Sequence, residues 1–435
     1  MKTDSCLKPK NNIDYIRRIP SYKQYMSFIS IIACIVLLLP GCDNQEVYKP
    51  PDQAVASPSA IIAPLSTLKQ QIEEEEPQSV RLLFTGDVMV HEPQLLAQFD
   101  NQTMDYDFTN NYMYVKYYIS SAALAMCNLE TTLGGSPYKG YPMFSSPDSL
   151  ADALVSAGFN AVFTSNNHML DRSIAGFYRT IETLRAFGLQ NAGSQFEAED
   201  NFLLISAGAL NIGVVSYTYE SARSNGRRTL NGIPIPAELS SLVNSYGFEE
   251  FDNDILRIEK TVAEARNGGA DFVVCYFHWG YEYQRTHDEH QRQIAYRVAQ
   301  AGADLIVASH PHVLQGMEIY EINGKKIPVY YSMGNFISNQ RTDTTGSRFT
   351  EQGLMVIADI RYKPDSLEIV SLDTKVIPTW LDKYRKGDKN YYTIIPLTGD
   401  FMENPTLVES NHGDRAKQAL EYCISLYGED QILKE

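Results

Sequence analysis

Cysteine is scarce in this chain: there are six among 435 residues, and beyond residue 41 only Cys42, Cys127, Cys275 and Cys423 occur. The last three lie far apart with no CxxC spacing, which excludes a disulfide framework, a cysteine-rich metal centre and a dithiol redox pair. They read as small buried hydrophobes. Basic charge is short as well, with 37 lysines and arginines against 53 acids and a formal net charge of -16. A nucleic-acid partner needs a basic face, so that class is set aside. No internal repeat is visible. Histidine is sparse too, with eight in all, so the pair in Val307-Ala-Ser-His-Pro-His-Val-Leu-Gln-Gly316 stands out.

What is present begins with a leader. Lys2, Lys8, Lys10, Arg17, Arg18 and Lys23 precede an apolar run from Phe28 to Leu39, which ends in Leu39-Pro40-Gly41-Cys42. The run is shorter than the roughly 20 residues a membrane span needs. A basic stretch, a short apolar stretch and small residues before a cleavage point make a secretory signal. The cysteine after Gly41 makes it resemble a bacterial lipoprotein signal, which implies removal of residues 1–41 and lipidation of Cys42. That would place the protein outside the cytoplasm, anchored in the cell envelope, with a mature charge of about -20 once six basic and two acidic charges are gone. Residues 42–79 carry five prolines and the run Glu73–Glu76. They read as a tether.

From Val80 onward, short apolar runs alternate with helical periods. Strands are expected at Arg81–Thr85, Asn160–Thr164, Phe202–Ile205, Ile212–Tyr217, Asp271–Phe277, Leu305–Ala308 and Ile327–Tyr331. A pair is expected at Leu354–Tyr362 and Leu367–Val376, and helices near Asp148–Ala157, Ser173–Phe187, Ile255–Asn267 and Gln291–Ala301. This alternation implies a layered α/β domain over residues 80–385, with mixed sheets. Residues 386–435 read as a C-terminal extension with a terminal helix.

The chemistry gathers at strand ends. Gly86-Asp87, Asn128-Leu129-Glu130, Asn166-Asn167-His168 with Asp171, His278-Trp279-Gly280-Tyr281-Glu282, His310-Pro311-His312 and Gly334-Asn335 each follow an apolar strand. In layered α/β sheets, ligands bind beyond the carboxyl ends of the strands, so these groups can share one rim. One histidine at a strand end is more often hydrogen-bonded structure than a ligand. Six such ends together point to a metal. Oxygen donors (Asp87, Glu130, Asn167) mixed with imidazoles (His278, His310, His312) suit zinc, manganese or iron. One carboxylate can bridge two such ions.

The ordered set GD, NLE, NNHxxD, HWGxEY, HPHxxQG and YSxGNF, over about residues 80–340, resembles the CapA family of poly-γ-glutamate capsule synthesis proteins. That family is similar in turn to the calcineurin-like metallophosphoesterases, whose pattern runs DxH, GDxxD, GNH[DE], H, GHxH. The resemblance implies a four-layer α-β-β-α sandwich of the metallo-dependent phosphatase type. It implies metal ligation by Asp87, the bridging position for Glu130, and ligation by Asn167, His278, His310 and His312. His168 would stabilise the transition state or donate a proton, and Asp171 would orient its imidazole. Met89 stands where the pattern has the DxH histidine and is expected to pack in the core. His91 would share that strand face only if the strand continued. The site is therefore expected to hold one or two divalent ions (Mn, Zn or Fe).

The outer residues have two readings each. Trp279 either stacks on substrate or wedges between strand and helix. Glu282 either supports His278 or is a solvated loop acid, and Asn335 either meets substrate or serves turn geometry. Gln315 and Arg341 are candidates to meet an acidic substrate, while His287 and His290 are expected to face solvent. The resemblance implies a metal-dependent hydrolase of phosphoester or γ-glutamyl bonds in capsule or exopolymer formation. Its partners would be an anionic polymer or phosphoester substrate, the membrane through the lipid anchor, and capsule synthesis or export machinery. The competing reading is a non-catalytic export component that binds polymer on the same rim.

Overall fold

The first strand of the domain, Gln78–Val88, is apolar on both faces, so both must be covered. In the computed structural model, which describes residues 75–434 except Ala198, that is how it is built. Leu82 and Phe84 point into one core, shared with Ile212, Val214, Phe272 and Val274 of a second sheet. Leu83 points the other way, into a core with Leu150 and Leu154 of the helix Ser149–Ala157. The second sheet repeats the scheme: Val273, Cys275 and Phe277 turn outward onto Ile258 and Val262 of the helix Phe251–Asn267 and Ile294 and Val298 of the helix Glu289–Ala301. Helices, sheet, sheet and helices make the expected four layers.

Both sheets are mixed. In the first, the strands Gln78–Val88, Leu124–Leu129, Ala161–Phe163 and Gln190–Ala192 run parallel in that order, and Gln352–Tyr362, Ile369–Lys386 and Lys389–Pro396 extend the other side antiparallel. In the second, Leu210–Tyr219, Phe272–His278, Leu305–Ser309 and Lys325–Met333 are parallel neighbours, with Leu314–Ile322 antiparallel at the edge. Parallel strands put their carboxyl ends on one rim, which is where the motifs sit. The signal segment, Cys42 and all of the tether up to residue 74 lie outside the described residues. Residues after 385 supply the edge strand and the helix Gly413–Tyr427, whose Cys423 and Tyr427 join the core between the sheets. The thiols of Cys127, Cys275 and Cys423 are all buried.

Two glycines set the height of the rim. The Asp87 amide donates to the Gly334 carbonyl at 2.9 Å, and Asp87 is in register with Asn335. A Cβ on Gly86 would lie 1.9 Å from that carbonyl oxygen, and Gly334 has a positive φ of 65°. Only glycine lets these chains approach so closely. Gly86→Ala is expected to destabilise the protein by about 2–3 kcal/mol through overpacking. Denaturant titration checks this, and an unchanged midpoint would show that the contact can relax.

Candidate metal centre

Two sets of side chains on the rim are spaced to hold a cation. Glu130, His278 and His310 form one, and Asp87, Glu130 and His312 form the other, with ligand atoms in each within 4.8 Å of one another. Glu130 belongs to both. All five residues are buried. The strand period explains part of this: Asn128 and Glu130, two apart, face the same side. Asn128 donates to Asp87 Oδ1 at 2.8 Å and approaches His278 Nδ1 at 3.3 Å, joining the two sheets across the centre. Beneath it, the rings of Phe163 and Tyr276 stack at 4.0 Å, one from each sheet.

The electrostatics fit a cation. Burial, reinforced by the charge of Asp87, holds the Glu130 carboxyl well above the usual range. Burial would also raise Asp87, but its hydrogen bond to His312 and the neighbouring imidazoles leave it lowered. Burial pushes His278 down to about 3 and His310 well below its ordinary value, so both rings are neutral with lone pairs to offer. Glu130 Oε1 and His310 Nδ1 have no hydrogen-bond partner. Orphaned buried atoms of this kind call for an explanation. A divalent ion bound by these donors would satisfy both and offset the repulsion between the carboxylates. Asn167 Oδ1 lies 2.9 Å from His278 Nε2, beside the His278–His310 set.

The segment around Pro311 is strained. His310 has φ 102° and His312 φ 57°. Each such residue costs about 1–3 kcal/mol when it is not glycine, and strain of this type gathers at functional sites. The fixed φ of Pro311 suggests a restricted segment, but the left-handed turns on either side carry no sequence signal.

His168 is held beside the centre. Its Nδ1 lies 2.7 Å from Asp171 Oδ2, which also accepts from the Phe144 amide at 2.7 Å. The Phe144 ring packs edge-on against the imidazole at 4.7 Å. Asn166 pins the same loop, donating to the Leu129 carbonyl at 2.8 Å and accepting from the His168 amide at 3.1 Å. Asn128, Asn166 and Phe144 had no role assigned from sequence. The two asparagines stand inside the quoted motifs, and Phe144 has no sequence signal.

Several outer residues need correction. Trp279 is fully buried, donates to the Tyr331 carbonyl and stacks on Phe277 at 4.8 Å, so it is core and cannot stack on substrate. Asn335 is buried and braces the site instead: its Oδ1 lies 3.1 Å from His312 Nδ1 and its amide donates to the Thr350 carbonyl. Gln315 and Arg341 are also buried, Gln315 on loop carbonyls and Arg341 against Glu351. His287 is not solvent-facing, because its ring stacks on Tyr331 at 3.8 Å. Glu282 is exposed, without a hydrogen bond to His278 among the described residues, and lines a cleft whose wall includes His310. Met89 is buried as expected, and His91 caps the helix Glu92–Gln98 outside both ligand sets.

Layering, sheet order and rim chemistry define a four-layer α-β-β-α scaffold with a buried, ligand-rich rim. A family model described as Bacterial capsule synthesis protein PGA_cap matches residues 81–340, and the chain belongs to that family. Over 280 residues it is 25% identical to the capsule biosynthesis protein CapA of Bacillus anthracis, covering 62% of each chain. Over 185 residues it is 30% identical to the PGA biosynthesis protein CapA of Bacillus subtilis (strain 168), covering 42% of this chain and 43% of that one. The matches thus span less than two thirds of these relatives. Among solved structures, the calcineurin-like phosphoesterase YfkN from Bacillus subtilis aligns over 80% of this chain and 99% of that chain, with 11% identity and a TM-score of 0.38. A hypothetical protein from Thermus thermophilus aligns over 69% of this chain and 99% of its own, with 13% identity and a TM-score of 0.39.

The His91 ring packs against Phe144 at 5.2 Å, and burial lowers its pKa from 6.5 to about 4. The unfolded imidazole takes up its proton near 6.5 and the folded one only near 4, so stability falls as pH drops through that window. In chelator, denaturation at pH 7 and pH 4.5 is expected to show a smaller acid loss for His91→Gln than for the natural protein. Equal losses would remove His91 from the acid response.

Proposed function

We propose that this member of the capsule synthesis family is a metal-dependent hydrolase of phosphoester or γ-glutamyl amide bonds, tethered to the cell envelope through Cys42. The observation that carries this reading is that Glu130 is common to both three-residue ligand sets. Asp87, Glu130 and His312 would hold one divalent ion, and Glu130, His278 and His310 with Asn167 a second. Such ions supply Lewis-acid polarisation of the scissile group and a nucleophile from water near neutral pH.

The chain's own part follows from its geometry. Asp171 fixes the His168 ring through Nδ1, which leaves Nε2 to exchange a proton. Water adds at phosphorus or at the carbonyl carbon, the P–O or C–N bond breaks, the Nε2 proton goes to the departing oxygen or nitrogen, and the proton the water gives up restores Nε2. Asn128 and Asn335 keep Asp87, His278 and His312 in place during this exchange.

The test uses the full chain on a chromogenic phosphodiester and a γ-glutamyl anilide. One of them is expected to turn over, to stop in chelator and to resume with added manganese or zinc. His168→Ala is expected to keep its metal and lose about 10²–10⁴ in kcat, the scale of one general acid. Metal-loaded protein that hydrolyses neither class would overturn the hydrolase reading in favour of polymer binding.

A further inference from the structure

A cleft of about 500 Å³ opens beside the ligand sets, and His310 forms part of its wall. That imidazole is 2% exposed and belongs to a ligand set, so the cleft opens directly beside the candidate metal centre. Of the cleft's three carboxylates, Glu220 is paired with Arg228 and Glu249 with Arg223, which leaves Glu282. Arg223 is already engaged, at 3.2 Å from Glu249 and 2.6 Å from Glu250. It has little positive charge left for an incoming anion. Glu282 is exposed and, among the described residues, in no ion pair.

Aromatic faces complete the walls. Phe248 is 45% exposed and Tyr281 58%, although both line the cleft. Tyr219 packs on the His310 ring at 4.6 Å. Exposed aromatic rings and a carboxylate that no cation neutralises, lining one cleft, form an environment that attracts ammonium groups.

We propose that this cleft is a subsite for a primary ammonium group of the substrate, held by Glu282 and the faces of Phe248 and Tyr281 next to His310. The inference rests on the hydrolase reading and sharpens it. Inside a γ-glutamyl chain the nitrogens are amides and the free groups are carboxylates, whereas the chain's amino end carries an ammonium. The subsite therefore selects that end, so hydrolysis proceeds from the amino terminus.

Calorimetric binding of a γ-glutamyl dipeptide and its N-acetylated counterpart to the full, metal-loaded chain tests this. The free amine is expected to bind at least about tenfold more tightly, the scale of one hydrogen bond to a charged group. Glu282→Gln is expected to erase most of that preference at unchanged metal content. Equal binding, tighter binding of the acetylated form, or no binding of either would overturn the subsite. The same preference for glucosamine over N-acetylglucosamine would support the ammonium subsite and transfer it to an amino sugar. These are equilibrium measurements, so the subsite can fail while chelator-sensitive turnover persists, and turnover can fail while the amine preference persists.

Discussion

Asp87 and Glu130 are both fully buried, and the amide of Asn128 donates to the first at 2.8 Å and reaches the second only at 3.5 Å. Burying one carboxylate is costly, and burying two side by side adds their mutual repulsion. Burial keeps the His278 and His310 imidazoles neutral, so these two rings supply no compensating charge. The ligand atoms left without hydrogen-bond partners, Glu130 Oε1 and His310 Nδ1, are those a cation would meet. The need to compensate these carboxylates organises the rest of the centre.

The fold meets that need by precise backbone placement. Parallel strands in two sheets bring their carboxyl ends to a common rim, and the Phe163–Tyr276 stack and Asn128 tie the sheets together there. Gly86 and Gly334 let two chains approach closely enough to align Asp87 with Asn335. Strain at His310 and His312 is held by the hydrogen bonds and packing around Pro311, including the Tyr283 amide on its carbonyl at 2.8 Å. His168 stands outside the ligand sets but is fixed by Asp171, Asn166 and Phe144, an arrangement suited to proton transfer.

Much of this was legible in one dimension, for a physical reason. Residues that follow an apolar strand directly must lie at its carboxyl end, so six strand ends could be placed on one rim. Burial direction is harder to read. Trp279 beside a candidate ligand looks the same in sequence whether it faces a substrate or the core, and only packing on Phe277 and Tyr331 decides. Bracing residues such as Asn128 act through contacts between sheets that periodicity does not encode. The strand Ile369–Lys386 runs well beyond Val376 because Pro378, which reads as a breaker, keeps its place opposite Leu354. The hairpin Leu314–Ile322 with Lys325–Met333 turns at Asn323-Gly324, both at positive φ, a strong turn signal that the strand pattern alone passes over.

The account turns on Glu130 serving two cation sites at once, and metal stoichiometry measured on the purified full chain tests that most directly. Titration of chelated protein with manganese or zinc is expected to show both sites lost in Glu130→Gln, but only one lost in His310→Ala and only the other in His312→Ala. A Glu130→Gln protein that is folded and still binds as much metal as the natural chain would contradict the account at its centre.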